Sequence, residues 1–164
     1  MSLGSYVLAR FNDAEKLLPA MRTVRSCTPV ERWHAVDGHV HLVMKVSSPA
    51  SALPEAITHL DGVEAIYRYD IVKDGEKHKP IDPAMAHAYL FLEIEIVKLD
   101  KVRAILAAMP EVLFCTTTHG GCDLVALVSG GSFDAIEHTI NDKIRMLDGL
   151  LRLKANYVIE LTKL

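Results

Sequence analysis

The stretch Tyr89-Leu90-Phe91-Leu92-Glu93-Ile94 has a counterpart near the start of the chain, Tyr6-Val7-Leu8-Ala9-Arg10-Phe11. Each stretch is followed by a helix-like segment and then by a glycine turn, which is Asp37-Gly38 in the first case and Gly120-Gly121 in the second. An apolar run, a second helix-like segment and a last strand-like run follow each turn. A unit that occurs twice sets the architecture before any single residue is interpreted.

Each unit has the element order β-α-β-β-α-β, which is the order of the ferredoxin-like split βαβ fold. We therefore predict an α+β protein built from two tandem ferredoxin-like units. The first unit spans 1–75, a polar linker with two prolines spans 76–86, and the second unit spans 87–164. Each unit is expected to form a four-stranded antiparallel sheet that carries helices on one face only.

The alternation of side chains along a strand predicts which residues lie on the bare face of each sheet. Tyr89 and Phe91 are expected there, and large apolar side chains are seldom left in water. The residues expected to face the helices are Leu90, Leu92, Ile94 and Ile96. We therefore predict two separate sheets packed face to face, as in the dimeric α/β-barrel type, either within one chain or between chains. Arg10 and Glu93 are expected to meet across that junction.

Local signals predict the turns and helices of both units. Asp37-Gly38 is typical of a two-residue hairpin turn. Ser51 and Ser132 are expected to cap the second helix of their units. The helix that follows Asp100 is expected to bury Val102, Ile105, Leu106 and Met109.

The composition excludes several classes of protein. Net charge is −3 and no basic block is present, so direct nucleic-acid binding is not expected. No apolar run is long enough to cross a membrane, and no signal-peptide pattern is present. The three cysteines lack the spacing of a disulfide framework, which favours a reducing, cytoplasmic location.

The second unit resembles the effector-binding domain of the Lrp/AsnC regulators. The features that carry the resemblance are Ala88-Tyr89-Leu90-Phe91-Leu92, Met109-Pro110-Glu111-Val112 and the segment from Thr117 to Val125, which reads TTHGGCDLV. The helix that ends at Asp148-Gly149 and the closing strand complete it, and the first unit matches more loosely. Full-length members of the family carry an N-terminal helix-turn-helix, whereas the first strand is predicted here from residue 6, so the resemblance implies a stand-alone, duplicated regulatory module.

The resemblance implies that a small effector, typically an amino acid, binds near the second hairpin. The candidate ligand-binding residues are Thr118, His119, Gly120, Gly121, Cys122 and Asp123. Glycine allows backbone donors to approach a ligand closely, and the Asp123 carboxylate is suited to hold an α-ammonium group. The alternative is that the glycines only make the turn and that Asp123 only bonds turn amides.

Three histidines form the pattern most typical of an enzyme. With a two-residue turn at Asp37-Gly38, His34, His39 and His41 share one face of the sheet. Three imidazoles on a rigid sheet are suited to hold zinc, copper or iron. The alternative is a polar surface of neutral histidines, and a shift of one residue in register removes the cluster.

We conclude from the sequence that the chain is a non-enzymatic regulatory module that needs no cofactor. It is expected to bind a small effector, to self-associate and to reach DNA only through a partner protein. This interpretation assumes two separate sheets that cover each other. The alternative function is a small metal- or haem-dependent enzyme, monooxygenase-like, that works in the cavity between the sheets and uses His34, His39 and His41.

Overall fold

The computed structural model describes residues 3–73 and 78–159 of the chain. The strands are β1 (Ser5–Phe11), β2 (Val30–Asp37), β3 (Leu42–Val46), β4 (Val63–Lys73), β5 (Ala86–Ile94), β6 (Val112–His119), β7 (Leu124–Gly130) and β8 (Leu150–Val158). The helices are α1 (Leu17–Arg25), α2 (Glu55–Thr58), α3 (Leu99–Ala108) and α4 (Phe133–Thr139). The mixed α+β, ferredoxin-like fold is therefore confirmed. The predicted linker lies partly outside the described residues, as do the last residues of the second unit.

Within the described residues, the strands form one closed antiparallel barrel in the order β1-β3-β2-β8-β5-β7-β6-β4. The first half of the chain contributes β1 to β4 and the second half contributes β5 to β8, and two strand pairs, which we call seams, join the halves. At one seam Val36 of β2 pairs with Val158 of β8, and at the other Asp70 of β4 pairs with His119 of β6. The prediction of two separate sheets was wrong, because pairing the edges satisfies the backbone donors and acceptors that an open edge strand leaves free.

The core consists of three layers of buried side chains. Tyr6, Leu8, Tyr89 and Phe91 fill the interior of the barrel, so the predicted bare faces do cover each other. The outer face of the second half packs Leu90 under α3 and α4, and the first half packs α1 and α2 in the same way. Most of the predicted inward and outward assignments on β5 therefore hold.

Ile96 does not lie under the helices as predicted, because its side chain is 85% exposed. β5 ends at Ile94, and Ile96 begins a short 3-10 turn that leads into α3. Arg10 and Glu93 do not meet either. Each charge has a partner on its own half, since Arg10 pairs with Glu64 at 3.3 Å and Glu93 pairs with Arg152 at 3.3 Å.

The first hairpin is longer than predicted. Ala35 pairs with Leu42, and the Val36 amide donates to the His41 carbonyl at 2.9 Å. The chain therefore turns over more residues than Asp37 and Gly38 alone, and every pairing beyond the turn is shifted.

The two serines predicted as helix caps behave differently. Ser132 caps α4, because its hydroxyl accepts from the Ala135 amide at 3.1 Å. Ser51 lies in a 3-10 turn, and α2 begins only at Glu55, immediately after Pro54. Proline fits the start of a helix because its missing N–H would have no partner there.

None of the helices in the described ranges combines the length and the apolar character needed to cross a bilayer.

Candidate functional site

One mouth of the barrel contains a small cavity of about 40 Å³ to which both halves contribute. Its lining residues are His39, Tyr69, Phe91, Glu93, Gly121, Cys122, Arg152 and Lys154. The first two come from the first half and the others from the second. We refer to this space as the mouth cavity. It is large enough for a few water-sized groups, which is the scale of an amino-acid head group.

The mouth cavity is polar and carries both signs of charge. The Arg152 guanidinium lies 3.3 Å from the Glu93 carboxylate, and both side chains are partly exposed. Lys154 lies two residues further along β8, on the same face of the strand as Arg152. Burial lowers the pKa of His39 below its ordinary value, and the charge of Lys154 lowers it further. His39 is therefore a neutral hydrogen-bonding ring beside one acid and two bases.

The predicted ligand-binding loop lies at this mouth, but only part of it lines the cavity. Gly121 and Cys122 line it, whereas His119 is exposed at the seam opposite Asp70. Thr118 is buried, and its hydroxyl donates to the Cys122 carbonyl at 2.8 Å. The loop is thus held by its own hydrogen bonds.

Asp123 and Gly120 make contacts that support the turn itself. One carboxylate oxygen of Asp123 accepts from the Ile94 amide at 2.8 Å, where the ladder between β5 and β8 is interrupted. Gly120 has a φ of 120°, and a Cβ built on it would lie 2.8 Å from the Arg68 carbonyl oxygen. Glycine is required there by both conformation and space.

Cys122 does not have the properties of a nucleophile. It is 4% exposed, and burial raises its pKa to about 11. The thiol donates to the Leu124 carbonyl at 3.0 Å. Cys115 lies on the opposite face of the sheet, among the side chains under the helices.

The three histidines proposed as metal ligands do not converge, so this candidate site was wrong. His34 lies inside the barrel against Tyr89, His39 lies at the mouth cavity, and Nδ1 of His41 accepts from the Phe11 amide at 2.9 Å. The longer hairpin shifts the register on which the cluster depended. In the part of the chain that the structure describes, no group of three potential metal ligands is close enough to hold an ion.

Sequence reasoning missed a polar network inside the barrel. A ring nitrogen of His34, Nδ1, lies 2.8 Å from the Tyr89 hydroxyl, and Nη2 of Arg32 donates to the Tyr6 hydroxyl at 2.9 Å. Burial, together with the charge of Arg32, lowers the pKa of His34 to about 4. The signal that could have revealed the network is the alternation along β2, which places Arg32 and His34 on the same face as buried Val36.

The lowered pKa of His34 predicts acid sensitivity. The folded value lies below the unfolded value near 6.5, so protons bind more strongly to the unfolded chain. Stability should be unaffected by this group above pH 6.5 and should fall as the pH drops toward 4. Relative to His34→Asn, which keeps a partner for the Tyr89 hydroxyl, the protein should lose about 2 kcal/mol more between pH 7 and pH 4.5. Urea unfolding of both proteins at the two pH values measures this difference, and equal losses would show that His34 is protonated in the folded state.

Solved structures with the same fold are known. The chain is similar to the siroheme decarboxylase NirDL over 95% of its own length and 71% of that chain, at 13% identity and a TM-score of 0.77. It is similar to an anthrone oxidase-like protein over 98% of its length and 94% of that chain, at 12% identity and a TM-score of 0.53. Identities this low show the fold and do not transfer an activity.

A regulator structure matches half of the chain, and a family model matches its second half. The structure of AsnC from E. coli matches over 50% of this chain and 58% of its own, at 18% identity and a TM-score of 0.46. No curated protein matches the chain. The family model of the Lrp/AsnC ligand-binding domain matches residues 87–164, which is slightly less than half of the chain and includes the hairpin at the mouth cavity.

Proposed function

We propose that this protein is a ligand-sensing module that binds a small amino-acid effector in the mouth cavity and acts in transcriptional regulation through assembly or partner proteins. The observation that carries the proposal is the match of residues 87–164 to the model of a ligand-binding domain. In this chain, the hairpin between β6 and β7 lies within the matched residues and contributes Gly121 and Cys122 to the charged mouth cavity. The sheets of the two halves form one closed barrel, so their mutual covering no longer distinguishes a regulator from an enzyme. The proposal now rests on the family match and the cavity instead.

The charges of the mouth cavity suit the two ends of an amino acid. Glu93 is the acid in the lining, so it would take the α-ammonium group. Arg152 and Lys154 would take the α-carboxylate. The effector would replace the direct contact between Glu93 and Arg152 by bridging them. The side chain of the effector would extend toward the open end, because the cavity holds little more than a head group.

The Asp123 carboxylate is the other candidate for the ammonium group. One of its oxygens already accepts from the Ile94 amide, so its role in the turn is established by geometry. Its second oxygen would make the contact to the ammonium group if Asp123 were the acid that binds the effector. A test must therefore separate the charge of Asp123 from its hydrogen bond.

Self-association remains part of the proposal, but it needs a surface other than the bare sheet faces, which are covered within the chain. Ile96 and Val97 are more than four-fifths exposed, and Leu151 is 67% exposed. The Glu95 amide donates to the Gly149 carbonyl at 2.8 Å and so brings the two segments together. An effector that favours one assembly would stabilise that assembly by mass action.

The first experiment is a thermal-shift screen of the common amino acids at millimolar concentration, followed by calorimetry and by sedimentation with and without the best ligand. Glu93→Gln should weaken binding at least about tenfold, because the charged contact to the ammonium group is lost. Glu95→Gln is the matched control, since Glu95 lies on the same segment and its carboxylate pairs with Lys98 outside the cavity. This control should bind as the unaltered protein does.

Asp123→Asn distinguishes the two candidate acids. The amide oxygen of Asn can still accept from Ile94, so folding should be retained while the charge is lost. Normal binding by this variant together with weak binding by Glu93→Gln supports the mouth cavity. The reverse pattern assigns the ammonium group to Asp123. If no amino acid raises the melting temperature, the effector proposal fails.

The enzyme alternative required His34, His39 and His41 to bind a metal together, but the three side chains lie apart. The interior between the sheets is also occupied, since Tyr6, Tyr89, Phe91 and Phe114 are each at most 5% exposed. A haem bound between the sheets would have to displace these rings. The similarity to a siroheme decarboxylase shows a shared fold, and an absorption spectrum of purified protein with a Soret band would be needed to revive this alternative.

A further inference from the structure

Arg32 is a basic side chain that points into the barrel and has no acidic partner within the described part of the chain. Its Nη2 donates to the Tyr6 hydroxyl at 2.9 Å, and its guanidinium carbon lies 4.8 Å above the Phe114 ring. Its Nε is buried and has no hydrogen-bond partner. Arg32 as a whole is only partly buried, so part of the residue contacts solvent.

No carboxylate among residues 3–73 and 78–159 forms an ion pair with Arg32. The neighbouring acid, Glu31, lies 3.6 Å from Lys45 instead. The hydroxyls around Arg32 do not supply a negative charge, because burial raises the pKa of Tyr89 and keeps its phenol protonated. Among the residues that the structure describes, the groups in contact with the guanidinium are therefore neutral.

A guanidinium in this position is costly without a counter-charge. Charges withdrawn from water destabilise a fold unless they are paired, and an apolar side chain of similar volume is often at least as stable. The planar fork of arginine matches the two oxygens of a carboxylate or phosphate, and a buried, unused Nε–H is one half of such a contact. A guanidinium with an unused Nε–H is more typical of an anion-binding site than of a structural contact.

Other polar side chains lie beside Arg32. Tyr6 and Tyr89 present hydroxyls, and the neutral His34 ring lies against Tyr89. We propose that Arg32, supported by Tyr6, Tyr89 and His34, binds the carboxylate or phosphate group of a small organic anion that approaches from the partly exposed side of Arg32.

This site is separate from the mouth cavity. The interior-facing row on β5 runs through His87, Tyr89, Phe91 and Glu93, in that order. Tyr89 belongs to the Arg32 group, whereas Phe91 and Glu93 line the mouth cavity. Residues two apart on a strand are about 7 Å apart, so the two sites lie side by side along the interior without sharing a residue.

The experiment compares melting temperatures in sodium succinate, in sodium phosphate and in sodium chloride of equal ionic strength. At about 20 mM, succinate or phosphate should raise the melting temperature of the unaltered protein by about 3 °C relative to chloride. Arg32→Met should show a rise below about 1 °C, and without anion it should melt no lower than the unaltered protein. Arg22→Met is the matched control, because it removes the same charge from the exposed face of α1 and should keep the full anion response.

The two anions identify the chemistry of the ligand, since a response to succinate alone indicates a carboxylate and a response to phosphate alone indicates a phosphate. Absence of a rise with either anion, or an equal rise in all three proteins, would overturn the proposal. A fall of more than about 5 °C for Arg32→Met without anion would also overturn it, because it would show that the guanidinium is structural. The anion response should persist in Glu93→Gln, and the amino-acid response should persist in Arg32→Met, so failure of one site does not imply failure of the other.

A second readout follows anion binding in the unaltered protein. The buried Nε–H of Arg32 should give a slowly exchanging ¹⁵N signal, assigned by its absence in Arg32→Lys. Titration with the active anion should shift that signal in proportion to occupancy. A signal that stays in place while the melting temperature rises would show that the anion binds elsewhere, and the proposal would be withdrawn.

Discussion

Gly120→Ala should reduce the free energy of unfolding by about 3 kcal/mol, because it combines backbone strain with a steric clash. Gly120 adopts a φ of 120°, which side-chain-bearing residues rarely adopt, and an added Cβ would lie 2.8 Å from the Arg68 carbonyl oxygen. Since Arg68 is on β4 and Gly120 follows β6, the clash falls on a seam between the halves. The melting temperature should drop by about 10 °C.

Gly131→Ala is the control for Gly120→Ala. Gly131 is also a loop glycine, but an added Cβ there would meet no atom within 4 Å. Its effect should stay within about 0.5 kcal/mol of zero. Urea unfolding followed by circular dichroism measures both variants. Equal stabilities for the two would mean that the β6–β7 hairpin does not pack against β4, and the closed barrel would be in doubt.

Leu106→Ala should cost about 3 to 4 kcal/mol, since it leaves a cavity in the layer between α3 and the sheet. Leu106 is fully buried among the side chains of the second half. Denaturant unfolding gives the change from the shift of the midpoint at constant slope.

Ile105→Ala tests the same helix one residue earlier. Ile105 is 37% exposed, so the substitution should cost about 1 kcal/mol or less. The comparison matters because the sequence pattern predicts both residues to be buried. A loss for Ile105→Ala as large as that for Leu106→Ala would show that α3 is rotated relative to the structure described here.

Local sequence patterns predicted much of the secondary structure and of the faces of the strands. The alternation along β5 correctly placed Leu90 and Leu92 under the helices and Tyr89 and Phe91 on the opposite face. Ser132 was correctly predicted to cap a helix. These features depend on neighbours within a few residues, where the geometry of a strand or a helix turn fixes which side chains share a face.

Predictions that needed an exact register or element boundary were less successful. The histidine cluster assumed a two-residue turn at Asp37-Gly38, and the longer hairpin separated its members. Ile96 was predicted to be buried, but β5 ends before it. A turn one or two residues longer changes every pairing that follows it, and no local pattern reports this change.

The candidate sites depend on contacts between distant segments. The hairpin at 118–123 was identified from the chain, but the mouth cavity beside it also needs His39 from the first half. The Arg32 network joins β1, β2 and β5, with Phe114 of β6 below the guanidinium. Residue order along the chain cannot indicate these neighbours, because they meet only when the two seams close.

Residue order predicted the succession of strands and helices and the apolar faces of the strands, since both follow from local periodicity. The closure of those strands into one barrel was established only by the folded molecule, where β2 pairs with β8 and β4 pairs with β6. The physical reason is that edge strands are satisfied by whichever partner lies beside them in space, and that choice is made by the packing of the whole interior.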